Sequence, residues 1–308
     1  MPIFKIDNSK LIPIKEITLF LERDLQKITE DNIESIFGLD FVSSEFSLRQ
    51  FRIDTLAFDK ETKSFVIVEY KRDKSFSVID QGYAYLALML NNKADFILEY
   101  NEKKKENLKR EDVDWSQSRV LFLANSFTAY QQNAINFKDL PIELWEVKNY
   151  DNQTILYSQL KSTEVKESIK TVSKNKTIES VSREVKKYSI DDHFKPGWEN
   201  SKELFENLRS KILELDSRIE EKANKFYIGY QIDRKNIISI HIQQSKIIID
   251  FTRTQPKDLD DPKKKLRYRK NSLKYWNQHI SEFDIKNQND IDYAVLLIRQ
   301  AYNRFIKE

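Results

Sequence analysis

Asp54, Glu69 and Lys71 are the side chains of this sequence whose types and spacing could do chemistry together. The tripeptide Glu69-Tyr70-Lys71 closes the apolar run Phe65-Val66-Ile67-Val68, one short polar connection after Arg52-Ile53-Asp54. Two carboxylates and an ammonium gathered on one edge of a small sheet suit a metal site for hydrolysing phosphodiesters. Hard cations such as Mg²⁺ or Mn²⁺ take oxygen ligands, commonly one or two carboxylates, with water and substrate phosphate filling the shell. Lys71 could orient the attacking water and offset charge developing on the phosphate. The plainer alternative is that Glu-x-Lys on a strand forms an ordinary same-face ion pair.

Strand periodicity supplies the geometry. Phe51 to Phe58 and Phe65 to Lys71 are rich in β-branched and aromatic residues, and Asp59 to Ser64 forms the polar connection between them. A hairpin centred between Glu61 and Thr62 sets Asp54 opposite Glu69, Arg52 opposite Lys71, Leu56 opposite Ile67 and Phe58 opposite Phe65. These residues then share a face that is apolar near the turn and charged at the far end. Directly opposed Cβ atoms lie roughly 5 Å apart, and like charges there destabilise the pair. A bound divalent cation would remove that conflict.

The elements that must position these groups follow from hydrophobic spacing. Glu16 to Phe37 reads as one amphipathic helix, with Ile17, Phe20, Leu21, Leu25, Ile28 and Ile33 recurring at helical intervals. Phe41 to Leu48 reads as the first strand, and a helix over about Ser77 to Asn91 carries Gln81 and Tyr85 on one face. Tyr85 reads first as a packing residue. Val120 to Ala124 is a buried strand, Ala129 to Phe137 a short helix, and Ile142 to Val147 and Thr154 to Leu160 a closing strand pair. The result is an α/β domain around a mixed sheet flanked by helices.

This order of helix, strand with Asp54, strand with Glu69 and Lys71, and helix with Gln81 resembles the PD-(D/E)xK nuclease superfamily. The stretches Arg52-Ile53-Asp54-Thr55-Leu56-Ala57, Ile67-Val68-Glu69-Tyr70-Lys71 and Asp80-Gln81-Gly82-Tyr83-Ala84-Tyr85-Leu86 look most like the branch that includes mismatch-specific endonucleases. The resemblance covers roughly residues 15 to 160 and implies a restriction-endonuclease-like fold. It implies that Asp54 and Glu69 ligate Mg²⁺ or Mn²⁺, that Lys71 positions the nucleophile, and that Gln81 is the polar residue of the following helix. Glu22 has the best spacing for the first-helix acid, with Glu30 and Glu34 competing. The implied activity is that of a metal-dependent endonuclease acting on DNA, in repair or in defence against foreign DNA, with water displacing the 3′ oxygen and leaving a 5′ phosphate. Two other classes stay open: a nuclease-like protein that binds nucleic acid without cutting, and a protein-interaction module.

Composition narrows the field further. The chain has 308 residues, enough for about two domains. It has no cysteine, which excludes disulfides, thiolate zinc sites and cysteine nucleophiles. His193, His241 and His279 are scattered and read as surface or linker residues. The stretch Met1 to Glu16 lacks a secretory pattern and no apolar run reaches membrane-spanning length, so a cytoplasmic location without membrane partners is expected. Glycine occurs only at Gly38, Gly82, Gly197 and Gly229, too sparsely for a phosphate-cradling loop.

Residues 161–197, rich in Lys, Ser, Thr and Glu, read as a polar linker, partly helical around Ser182 to Tyr188. Residues 198–308 read as an α+β accessory domain: a helix over about Lys202 to Ala223, strands near Lys225 to Gln231, Ile237 to Ile242 and Lys246 to Phe251, and a last helix over about Ile291 to Phe305. The end resembles a C-terminal module found after nuclease-like domains. Net charge is only +3, from 52 basic and 49 acidic residues, so a nucleic-acid surface needs local clustering. The densest cluster, Lys263 to Lys270, offers Lys264, Arg267 and Arg269 to phosphates and Tyr268 to a base. Arg52 is a further phosphate contact beside the site. The aromatics of this half read mainly as core. Nucleic acid, DNA first, is the expected partner, and a homodimer is compatible with this reading.

Overall fold

The structure is a computed structural model describing residues 2–17, 22–71, 77–137, 139–160, 168–169, 175–276 and 278–307. The chain divides into two compact units, Met1–Lys187 and Tyr188–Glu308.

The first unit is built around a mixed sheet. Strands β1 (Ile3–Asp7) and β2 (Lys10–Ile14) form a separate two-stranded hairpin, and β3 (Glu16–Ile17) joins the main sheet. Helices α1 (Glu22–Asp31) and α2 (Ile33–Phe37) follow, then β4 (Asp40–Leu48), β5 (Phe51–Asp59) and β6 (Ser64–Lys71). Next come α3 (Val78–Asn91), α4 (Lys93–Lys104), β7 (Arg119–Ala124), α5 (Ala129–Ala134), β8 (Ile142–Tyr150), β9 (Ile155–Leu160) and α6 (Lys176–Glu184). The sheet order is β3-β8-β7-β6-β5-β4, with β9 also paired to β8. β4, β5 and β6 run antiparallel, whereas β6, β7 and β8 are parallel and connected through helices.

Each face of this sheet has its own core. Leu56, Phe58, Phe65 and Ile67 face α3 and α4 with Leu86, Met89 and Phe96. Ala57, Val66, Val68 and Tyr70 face α1 and α2 with Leu25, Ile33 and Phe37. Burying such a side chain stabilises the fold by roughly 1.5–3 kcal/mol. Gly82 lets α3 come close to the sheet, since a Cβ there would stand 2.4 Å from Ile142 Cδ1. That close approach holds the neighbouring Gln81 over the strand ends.

Several elements differ from the sequence expectation. The single helix over Glu16 to Phe37 is replaced by β3, α1 and α2: Glu16 and Ile17 pair with Tyr150 and Asn149, and Gly38 closes α2 with φ 64°. The β1–β2 hairpin and α4 are additional. Phe20 and Leu21 lie outside the described residues. Within the stretch read as a linker, Ile178 and Val181 of α6 are buried against the first unit, because an amphipathic helix satisfies the core even in a lysine-rich segment.

In the second unit, α7 (Glu199–Leu213) is followed by β10 (Glu220–Ala223), β11 (Ile228–Ile232), β12 (Lys235–Ile242), β13 (Ile247–Thr252), β14 (Arg267–Tyr268), α8 (Ser272–Trp276), β15 (Ile280–Ile285) and α9 (Gln288–Lys307). The antiparallel sheet has the order β10-β11-β12-β13-β15-β14. Leu204, Phe205 and Leu208 of α7 and Ala294, Leu297 and Ile298 of α9 share one core with Ile228, Ile240, Ile249 and Phe283. This is an α+β arrangement. The helix expected through Ala223 stops at Leu213, and Glu220–Ala223 instead edges the sheet, with Glu221 taking Arg209 and the Tyr230 hydroxyl. Among the described residues, no helix is long and apolar enough to cross a membrane.

The β5–β6 turn fixes the register on which the site depends. Asp59 Oδ1 accepts the Glu61 and Thr62 amides, each at 3.0 Å, and its Oδ2 meets Arg119 Nη2 at 3.0 Å. Arg119 also reaches Glu143 at 3.2 Å, so one guanidinium joins the hairpin to β7 and β8. Arg119→Met takes the guanidinium away from Asp59 Oδ2, on a carboxylate only 4% exposed. It is expected to lower unfolding free energy by roughly 3 kcal/mol in urea titrations.

Candidate active site

β5 and β6 pair as the hairpin reading requires, with Phe58 opposite Phe65 and Leu56 opposite Ile67. The ladder ends at Thr55 and Val68, one step before Asp54 and Glu69. Beyond it the Tyr70 amide donates to Asp54 Oδ2 at 3.1 Å, so a side chain takes over where a strand carbonyl would accept. Ile53 and Leu56 both enter the α3-side core although they are three apart, so strict alternation breaks around Asp54. The expected direct pairing of Asp54 with Glu69 is therefore replaced by a splayed end in which the two carboxylates remain electrostatic neighbours.

Glu69 is 4% exposed. Its Oε1 accepts Lys71 Nζ at 2.7 Å and Gln81 Nε2 at 3.0 Å. Gln81 Nε2 also donates to the Tyr85 hydroxyl at 3.3 Å, and Tyr85 donates to the Arg52 carbonyl at 3.5 Å. Burial and the Glu69 charge raise the Tyr85 phenol far above its ordinary value, keeping it neutral. Glu69 Oε2 is buried and has no hydrogen-bond partner among the described residues. Asp54 is pushed up to about 7, first by burial and then by the Glu69 charge, against the opposing Tyr70 amide and Lys71.

Two acids in this condition fit a hard divalent cation. An oxygen left without a partner and a carboxyl that resists ionising would both be satisfied by one ion. Among the described residues there is no group of three or more His, Asp or Glu side chains arranged to hold a metal. Further ligands would come from water, backbone or substrate.

Behind the strand, α1 grips the Asp54–Thr55 segment. Gln26 Nε2 donates to the Asp54 carbonyl at 2.9 Å, to Ser44 Oγ at 3.1 Å and to Glu30 Oε1 at 3.0 Å. Thr55 Oγ1 donates to Glu30 Oε1 at 2.5 Å and lies 3.3 Å from the Tyr70 hydroxyl. Glu30 therefore bonds Thr55 on the α1 side of the sheet. Glu22 is exposed in the first turn of α1, and Glu34 is exposed on α2. The structure brings together Asp54, Glu69, Lys71 and Gln81, and leaves Glu22 outside their hydrogen-bond network. Gln26 was not singled out in the sequence. Its only signal there is a polar position beside the buried Leu25, in i,i+4 relation to Glu30.

Arg52 is exposed and pairs with Glu45 at 2.7 Å. In the second unit, the basic cluster is largely met by acids on neighbouring strands. Arg267 reaches Asp284 at 2.7 Å, and Arg269 binds Asp250, approaches Glu282 at 3.5 Å and stacks on Trp276. Tyr268 is 39% exposed, with its hydroxyl 2.9 Å from His279 Nδ1. Lys264 is exposed in the loop before β14. His241, expected at the surface, is a strand residue with Nε2 3.0 Å from the buried Asp250.

A family model described as a domain of unknown function, DUF5655, matches residues 190–304. An uncharacterized protein of Haemophilus influenzae is 44% identical over 302 residues, covering 98% of this chain and 99% of the relative. A repair endonuclease from Pyrococcus abyssi is 19% identical, with 39% of this chain and 44% of that one covered and a TM-score of 0.22. EndoMS in a complex with double-stranded DNA is 15% identical, with 43% and 47% covered and a TM-score of 0.23. SfsA of Pyrococcus furiosus in complex with Ca²⁺ is 13% identical, with 53% and 77% covered and a TM-score of 0.27. The chain spans less than half the length of the first two solved structures.

The Asp54 shift has a measurable consequence. Its folded-state pKa of about 7 exceeds the ordinary 3.8, so the native state binds the proton more tightly than the unfolded chain does. The associated stability is complete below pH 4 and is lost as pH rises through 7. Asp54→Asn, which can still accept the Tyr70 amide, should melt higher than the wild type in chelator at pH 8, by roughly 1–2 kcal/mol after allowance for solvent screening. The gap should close below pH 4.

Proposed function

The chain belongs to the family of the uncharacterized Haemophilus influenzae protein, and we propose that its first unit is a divalent-metal-dependent endonuclease that hydrolyses DNA phosphodiester bonds. The observation that carries this reading is the buried pair Asp54 and Glu69, with one carboxylate oxygen unpartnered and Lys71 Nζ 2.7 Å from the other. Asp54 and Glu69 would hold Mg²⁺ or Mn²⁺. When bound, such an ion makes water a stronger nucleophile and neutralises charge on the phosphate.

The protein's own groups supply the rest. Lys71 is tied to Glu69, so its ammonium is kept at the strand end, where it can hold an attacking water and stabilise charge on a phosphate oxygen. Gln81 fixes the Glu69 rotamer from α3, and Tyr85 holds Gln81 in turn. Gln26 locks the Asp54 backbone from α1. Reacting groups held from two sides lose little freedom on reaching productive geometry. The second unit is assigned substrate affinity, with Lys264 as its clearest phosphate contact, since Arg267 and Arg269 already serve acids on adjacent strands.

A second reading, nucleic-acid binding without cutting, draws on the Glu69–Lys71 ion pair, which the two side chains would also make in a scaffold that never binds metal. Incubation with supercoiled plasmid, linear duplex, single-stranded DNA and RNA, in Mg²⁺, Mn²⁺ or chelator, separates the two. Asp54→Asn and Glu69→Gln should each abolish metal-dependent cutting while leaving DNA binding within a few-fold of wild type, since each removes a ligand and spares the phosphate-contacting surface. Unchanged cutting by either variant refutes the assignment. Lys71→Ala should lower kcat more than it raises KM. In filter binding across a salt series, Lys264→Ala should reduce the log–log slope by about 1.

A further inference from the structure

The pairing of β4 with β5 runs further than that of β5 with β6. β5 pairs with β6 only as far as Thr55 and Val68, whereas β4 and β5 stay paired out to Leu48 and Phe51. The end of the hairpin thus projects past the ladder at the edge where Asp54, Glu69 and Lys71 gather. Its turn consists of Arg49 and Gln50, and Arg49 has φ 55°. Glycine takes that conformation without steric cost and is the usual choice in two-residue hairpin turns. Arg49 is one of twelve non-glycine residues at positive φ among the described residues, and at this turn the conformation sets its side chain at the tip of the hairpin.

Beside it, Phe51 is 38% exposed although its cross-strand partner Leu48 is buried. Arg52 is already paired with Glu45. Arg49 is exposed and engages no carboxylate among the described residues. At a strand rise of about 3.3 Å per residue, Phe51 lies roughly 10 Å from Asp54, the span of about three stacked nucleotides. A part-exposed aromatic ring at that distance, with an unengaged guanidinium two residues before it, matches a base and the phosphate beside it.

We propose that the Arg49–Phe51 turn is the base-contacting edge of the site: Phe51 stacks on an unstacked nucleobase near the scissile phosphate, and Arg49 takes the neighbouring phosphate. This rests on the nuclease reading of the Asp54–Glu69 group. A base offers its π-face only where it has left the stack, so the ligand class is single-stranded or locally unpaired nucleic acid.

The test is fluorescence anisotropy in chelator, so that binding is read without cleavage, using a labelled single strand and the matching duplex. Phe51→Ala should weaken single-strand binding about 10-fold and lower the preference for single strand over duplex, with Phe51→Trp restoring both. Arg49→Gly should melt no lower than wild type, because it relieves the positive φ, yet should flatten the salt dependence by about one phosphate contact. Full single-strand affinity in Phe51→Ala, an equal loss on both ligands, or a wild-type chain that binds neither would each overturn the proposal. Cleavage assays with Mg²⁺ or Mn²⁺ judge the nuclease reading separately: Phe51-dependent binding without cutting would retain the turn's role and remove the catalytic one.

Discussion

Two carboxylates, Asp54 and Glu69, are held side by side at the splayed end of a hairpin, and the first unit is organised around tolerating that conflict. Like charges in a half-buried place repel more strongly than in water. The fold answers with the Tyr70 amide on Asp54, the Lys71 ammonium and Gln81 amide on Glu69, and a carboxyl that keeps its proton up to neutral pH. None of these contacts uses Glu69 Oε2. The electrostatic cost is thus concentrated where an added positive charge would relieve it, a pattern that favours function over stability.

Precision at that point is set by distant parts of the sheet. Asp59 folds the β5–β6 turn and couples it through Arg119 to β7 and β8. A register slip of one residue would send Asp54 to the wrong face, and this tether opposes it. The close seat of α3 at Gly82 brings Gln81 over the strand ends. The site is thereby referenced to both halves of the sheet.

The hairpin was legible because its signal is local: alternating apolar residues, a polar turn, and charges at a fixed distance from it. Leu56 with Ile67 and Phe58 with Phe65 pair as that pattern requires. The splay at Asp54 was not legible, because it depends on a side chain substituting for a backbone acceptor. The helix over Glu16 to Phe37 failed where sheet pairing overrode helical spacing at Glu16 and Ile17. Gln26 and the Glu30–Thr55 contact join residues far apart in sequence, which no single-chain periodicity reveals. The basic cluster was visible as charge, but the acids that meet Arg267 and Arg269 come from β13 and β15 and emerge only once strands are ordered.

The grip of α1 on the strand behind Asp54 ties together residues from three elements. Gln26, Glu30, Thr55 and Tyr70 form one bonded set, in which the Glu30 oxygen serves two donors at once. Replacing any one of them leaves a polar atom without its match, so tolerated exchanges should arrive in concert. Among relatives of this chain, these positions should therefore covary as a block, drifting together through evolution while the surrounding helix surface diverges freely.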